Sequence, residues 1–350
     1  MQDMNNRAEE GMPSVGKYDL IAELAKGFAQ ENASTVVGVG DDASVVAPGA
    51  DEVVTSSKVF MENVHFDLTY VPLQYLGYKI VTVVCSDLLA MNAVPTQLTL
   101  TVAISNRFDL KAVQDLLDGV ATNCENLHVD LVGLDVTTSR RDLIVSATAI
   151  GECESAHLTR RSGAAENELL CVSGDYAAAY AGLLLLEREK KVFDANSGVQ
   201  PDFAGQDYLL QRQLRPEARL DIIEALRREN IVPTAMANVC DGMAAALMQI
   251  CHASDKGAIL FEERIPMTEL TFNTLKSFDI VHTVAALNGG DDYELMFTIK
   301  QADFEKIKNV ENVSIVGYVK EKAYGCQLLT SDNHQIEIKA QGFSKIQHHA

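Results

Sequence analysis

The sequence predicts an α+β protein of two domains, the first over residues 1–153 and the second over 154–350. Three observations point there. At 350 residues the chain exceeds the roughly 100–200 at which single cores stop growing, and 47% apolar residues suffice to bury two of them. Amphipathic helical runs and period-2 strand runs are mixed in both halves. The pattern breaks in the polar stretch 151–157 and then restarts.

Taken in order, Leu20, Ile21, Leu24, Ala25 and Phe28 recur at three- and four-residue spacing, which predicts a helix over 18–28. Residues 36–39 and 53–55 are short β-branched runs flanked by Gly, Asp and Pro, and they read as strands. After Pro72 a helix is set by Leu76, Ile80, Val83, Val84 and Leu88. Leu98, Leu100, Val102 and Ile104 alternate over 96–104, the signature of a half-buried strand. A helix follows over 110–127, then strands over 130–134 and 143–150. In the second half, 169–173 is a strand leading through Gly174-Asp175 into a helix over 177–190, and 193–203, rich in Gly, Pro, Asp and Asn, is a loop. Residues 208–228 read as one helix whose arginines, Arg212, Arg215, Arg219, Arg227 and Arg228, form the kind of run that most often makes a solvated face. A helix over 243–252, strands over 293–299 and 313–319, and a hairpin of 327–329 with 335–339 complete the chain.

Charge narrows the function. With 29 Lys+Arg against 49 Asp+Glu the net charge is −20, which repels a phosphate backbone and an anionic membrane surface. No apolar run approaches the roughly 18 residues of a membrane span, and the first twenty residues hold no signal-peptide core. Seven scattered cysteines, none spaced as CxxC, indicate neither a disulfide framework nor a zinc site. A cytoplasmic protein without nucleic-acid or membrane partners is expected.

The chemistry concentrates where strands or helices meet acidic turns: Gly40-Asp41-Asp42, Ser86-Asp87, Gly133-Leu134-Asp135, Cys240-Asp241-Gly242 and Gly290-Asp291-Asp292. Each alone is also an ordinary turn or N-cap. Asp87 differs, because it falls among Val83, Val84, Leu88, Leu89 and Met91, where an ionised carboxylate needs an ion partner. Carboxylates supplied from separate elements suit Mg²⁺, which bridges substrate phosphates and reconciles an acidic protein with a polyphosphate ligand. Neither a GxxxxGK[ST] loop nor the protein-kinase signatures occur. Spacing alone therefore reaches a metal-dependent phosphate enzyme.

At these segments the chain resembles the thiamine-monophosphate kinase family of the aminoimidazole ribonucleotide synthetase-like superfamily. The matching stretches are Gly38 to Ala43, Val64-His65-Phe66, Ser86-Asp87-Leu88, Gly133 with Asp135, Arg161-Ser162-Gly163-Ala164, Gly174-Asp175, Leu214-Arg215-Pro216, Asp241-Gly242, and Gly289-Gly290 with Asp292-Tyr293-Glu294-Leu295. The resemblance implies ATP-dependent phosphorylation of thiamine monophosphate to thiamine diphosphate with Mg²⁺. It also implies a homodimer whose N-terminal α/β domains jointly build a β-barrel, each followed by a C-terminal α/β domain. By position it implies metal sites at Asp42, Ser56, Ser57, Asp87, Asp135 and Asp241, nucleotide contacts at Leu134, Asp135, Arg161 and Cys240, and substrate contacts at His65, Asp291 and Phe343. No general base is assigned, since the acceptor phosphate oxygen is already anionic.

Several positions depart from the family pattern. Thr-Asp becomes Ser57-Lys58, Gly-Gly-Asp-Thr becomes Gly133-Leu134-Asp135-Val136, and Asp-Ile-Ser-Asp-Gly becomes Asn238-Val239-Cys240-Asp241-Gly242. Leu134 is expected to obstruct the close backbone approach that glycine permits, and Lys58 is expected to meet phosphate where relatives place a metal. Two alternatives follow: a non-catalytic homologue that binds nucleotide or thiamine phosphate, or a phosphotransferase acting on another phosphorylated metabolite.

Overall fold

The computed structural model describes residues 17–41, 43–196, 198–340 and 342–343, so Asp42 lies outside the described residues. The chain divides into two units, one holding the residues to Leu88 with Ala93–Ser155, the other Leu89–Asn92 with everything from Ala156.

The first unit contains α1 (Lys17–Ala25), β1 (Thr35–Val37), β2 (Val45–Val46), β3 (Glu52–Met61), α2 (Leu73–Leu89), β4 (Val94–Ile104), α3 (Leu110–Leu127), β5 (Asp130–Thr138) and β6 (Ile144–Cys153). Its main sheet has the order β3-β6-β4-β5, with only the β4–β5 pair parallel. Alternation sorts the strand residues onto two faces. Leu98, Leu100, Val102, Val145, Ala147 and Ala149 are buried on one, the face on which α2 sets Asp87 against Ser56 and Lys58. On the opposite face of β3, Val53, Val59 and Met61 are exposed. The helices α2 and α3 touch backbone to backbone. A Cβ on Gly77 would lie 1.9 Å from the Leu116 carbonyl, and one on Gly119 would lie 1.8 Å from that of Gln74. Asp109 caps α3 by accepting from the Ala112 N–H at 2.8 Å, which fixes its start where the sequence places it.

β3 is far longer than the expected 53–55. It continues through Ser56-Ser57-Lys58 because β3 pairs with β6 residue for residue from Glu52↔Cys153 to Met61↔Ile144.

The second unit holds β7 (Leu169–Ser173), α4 (Ala178–Ala195), α5 (Asp207–Leu214), α6 (Leu220–Arg228), β8 (Ala235–Val239), α7 (Met243–Ser254), β9 (Gly257–Phe261), α8 (Glu269–Ser277), α9 (His282–Asn288), β10 (Glu294–Ile299), α10 (Phe304–Ile307), β11 (Val313–Lys320), β12 (Cys326–Leu329) and β13 (Gln335–Glu337). Its sheet runs β13-β12-β9-β11-β7-β10-β8 and is antiparallel except for β12–β9. Both faces are buried, as its continuous apolar strands require. Leu170, Val172, Ala237 and Met296 enter one core with α4 and α7, while Cys171, Met236, Leu295 and Phe297 enter another with α6. The expected single helix over 208–228 is two. Pro216 breaks it, leaving Arg215 at φ −138° after α5 and α6 restarting at Leu220.

Candidate functional site

In the first unit, period-2 geometry divides the metal positions that the resemblance implies. Ser56 and Lys58 share the helix-covered face of β3 and converge on Asp87, in the last turn of α2. The Ser56 hydroxyl donates to Asp87 Oδ2 at 2.8 Å, and the Lys58 ammonium reaches the same oxygen at 2.9 Å. The carboxylate that looked isolated in the sequence thus has its ion partner, from a strand 29 positions earlier. Ser57 points to the other face, where its hydroxyl shares a 2.8 Å hydrogen bond with Thr148. Asp135 is on that second face too, in register with Thr101. The structure therefore does not bring the side chains of Ser57 and Asp135 to Asp87. Leu134, expected to crowd a nucleotide, is buried on the covered face opposite Leu100. Its side chain fills core on the face opposite Asp135. His65 is exposed in the turn after β3. Its Nδ1 accepts from the Met61 N–H at 3.0 Å, and its ring meets Phe60 edge-on, with centroids 6.4 Å apart.

In the second unit, two acidic turns are sewn together. β8 ends at Val239, with Asn238 buried beside Leu295 of β10. The Cys240 carbonyl then accepts from the Asp291 N–H at 2.8 Å, and the Val239 carbonyl from the Tyr293 N–H at 3.0 Å. Cys240 Sγ lies 3.4 Å from Asp241 Oδ2, and Tyr293 Oη donates to Asp291 Oδ1 at 2.8 Å. Burial, then the neighbouring Asp291, holds the Tyr293 phenol well above its ordinary pKa. Gly290, Asp291 and Tyr293 have φ of 75°, 62° and 52°. Left-handed backbone at two non-glycine residues is strain of the kind that gathers at functional turns. Arg161 is exposed, its carbonyl accepting from Ser254 Oγ at 3.2 Å. Phe343 packs edge-on against His252 with centroids 5.0 Å apart. His252 is in the last turn of α7, the end of that helix away from Asp241, so Phe343 packs there and not against the acidic turns.

Beneath these turns lies a charge cluster that sequence reasoning missed, because its arginines looked like a solvated face. Arg212 and Arg219 are largely covered rather than solvated, their side chains 12% and 11% exposed. Glu294, fully buried, receives Arg219 at 2.8 Å, Arg212 at 3.0 Å and Ser173 Oγ at 2.5 Å. Arg212 also donates to the carbonyls of Asp175 and Asp292, tying the Gly174 turn to the Asp291 turn. Arg227 is spent on Asn92, whose carbonyl it reaches at 2.6 Å. The mixed Arg/Asp/Glu spacing gave no cue, since the acidic partners come from β10 and its preceding turn.

Burial pushes the Asp292 carboxyl up to about 8, outweighing the attraction of Arg212. The fold therefore keeps a proton there that the unfolded chain loses above about pH 4. Bound protons exceed those of the unfolded state between these values, so this group's contribution to stability falls as pH rises from about 4 to 8, by up to roughly 1.4 kcal/mol per unit. Asp292→Asn is expected to remove that slope. Urea melts of both proteins at pH 5, 6.5 and 8 check it, and parallel pH dependences would mean Asp292 is ionised in the fold.

Residues 40–153 match the family model described as AIR synthase related protein, N-terminal domain, which sets the class. Over longer spans the chain is similar to the thiamine-monophosphate kinase of Bacillus subtilis, at 28% identity over 340 residues covering 94% of this chain and 99% of that one. It is 30% identical to that of Escherichia coli O157:H7 over 292 residues, 82% and 84% of the two chains. Among solved structures, AaThiL complexed with AMPPCP and TMP superimposes with a TM-score of 0.72 at 25% identity, covering 86% of this chain and 90% of that one. The chain belongs to the thiamine-monophosphate kinase family.

Proposed function

We propose that the protein transfers the γ-phosphoryl group of ATP to thiamine monophosphate, giving thiamine diphosphate by direct in-line displacement. One observation carries this: kinase relatives match 94% of the chain, from one unit through the other, and a related structure holds AMPPCP and TMP. Mg²⁺ bound with the nucleotide would offset the charge of its phosphates. Asp135, Arg161 and the backbone at Leu134 and Cys240 are the nucleotide contacts in this reading, and His65, Asp291 and Phe343 the substrate contacts. The acceptor oxygen is anionic at neutral pH, so positioning and charge neutralisation supply the rate, with no side chain acting as base. In this reading Asp135 and Asp241 would hold the ion that accompanies the nucleotide, with Ser57 on the same face of the sheet as Asp135. Incubating pure protein with ATP, Mg²⁺ and thiamine monophosphate is expected to yield thiamine diphosphate, resolved by chromatography. Binding of both ligands without product would favour the non-catalytic homologue, and ATP binding without thiamine monophosphate binding would favour another acceptor.

The reading includes a cytoplasmic homodimer. β3 is an edge strand ten residues long, with Val53, Val59 and Met61 exposed along it, and such edges pair with other chains unless covered. Among the described residues, no helix is long and apolar enough to cross a membrane. Light scattering at micromolar concentration is expected to give twice the 38.1 kDa chain mass, whereas a single species of chain mass would remove the dimer.

A further inference from the structure

The family resemblance implies a divalent ion at Asp87, and the donors present do not fit one. Asp87 Oδ2 already accepts from the Ser56 hydroxyl at 2.8 Å and the Lys58 ammonium at 2.9 Å, which uses both lone-pair directions of that oxygen. A Mg²⁺ ion needs a carboxylate oxygen at about 2.0–2.1 Å: at Oδ2 the two donors fill that space, and at Oδ1 the ion would face the ammonium bound to the same carboxylate. Among the described residues, no group of three or more His, Cys, Asp and Glu side chains could hold a metal ion. The placement of Lys58 is built in. Positions 56 and 58 share one pleat of β3, their strand is locked to β6 along its length, and Asp87 sits at the negative end of the α2 dipole, which adds to the pull on a cation.

We propose that Lys58 is the resident cation of this site. Its ammonium occupies the place on Asp87 that a divalent ion would otherwise take, so the protein binds one divalent ion fewer per chain than it would with a carboxylate at position 58. Anionic phosphate oxygens that approach Asp87 are met by a fixed monovalent charge. The inference takes its ligand from the kinase reading, but the ion count is independent of turnover.

Mn²⁺ titrations of the full chain, with free ion measured by electron paramagnetic resonance in the presence of AMPPCP, test it. Lys58→Asp is expected to bind one more Mn²⁺ per chain than wild type, and Asp87→Asn in the same background to lose that extra ion. Lys58→Met, which keeps the stem and removes the charge, is expected to tighten Mn²⁺ binding at least tenfold. It also serves alone if Lys58→Asp fails to fold. Equal counts and affinities in wild type and both Lys58 variants would overturn the proposal, as would an extra ion that survives Asp87→Asn. A protein that makes no thiamine diphosphate yet gains the ion keeps this inference and loses the kinase reading.

Discussion

Glu294→Ala is expected to destabilise the second unit by about 3–5 kcal/mol, the cost of leaving buried charge without its counter-ion. Glu294 is fully buried at the first position of β10, and two guanidiniums close on it, Arg219 through both carboxylate oxygens at 2.8 and 3.0 Å and Arg212 at 3.0 Å. Its Oδ-bearing neighbour Asp292 cannot substitute. That carboxyl is held protonated to about pH 8 and reaches Arg212 only at 4.0 Å. The truncation also frees Ser173 Oγ, which donates to Glu294 and accepts from the Leu295 N–H at 2.9 Å, so the β7–β10 pairing weakens at the same point. Glu294→Gln keeps the shape and an acceptor and is expected to cost less than Glu294→Ala. Urea unfolding at pH 7, followed by labelling of the buried Cys171 thiol on β7, reports this unit directly. A loss below about 1 kcal/mol for Glu294→Ala would mean that water reaches the cluster and screens it.

How much of this was legible in the sequence depended on whether the determinant was local. α3 was placed at its observed bounds, 110–127, because the determinants of a helix are local, and the structure adds the Asp109 cap at its start. The break at Pro216 was equally local, but the apolar spacing on both sides masked it. β8 and β9 went unmarked, because short strands buried on both faces show no alternation, only five residues such as Ala-Met-Ala-Asn-Val. For the site, the acidic turns were visible as residue types, and the departure at Lys58 was visible against the family pattern. The partition of Ser56 from Ser57 was implicit in strand periodicity, once residues 56–58 were known to lie inside a strand. The Lys58–Asp87 pair and the Arg212–Glu294 cluster were not legible, since each depends on a strand and a helix distant in sequence.

Gly290→Val is expected to lower thiamine diphosphate formation about 100-fold while the fold survives. Gly290 has φ of 75°, and a Cβ there would lie 2.8 Å from the Cys240 carbonyl, the same oxygen that accepts the Asp291 N–H. A β-branched side chain cannot hold that backbone conformation. Either the turn flips or it retreats from Cys240, and both movements carry Asp291 away from Asp241. A misplacement near 1 Å at a positioning group costs on the order of 10²-fold in rate. The backbone strain itself is worth roughly 1–3 kcal/mol and falls in a turn outside the sheet pairing, so Tm drops by only a few degrees. Gly325→Ala separates the two effects. Gly325 has φ of 68° but lies before β12, toward the opposite edge of the sheet, with the nearest atom to an added Cβ 3.7 Å away. It is expected to show comparable backbone strain and wild-type turnover. If Gly290→Val keeps full activity, or if Gly325→Ala loses as much, then the contact between the Cys240 and Asp291 turns does not position the reacting groups, and the transfer site must be sought among the residues of the first unit.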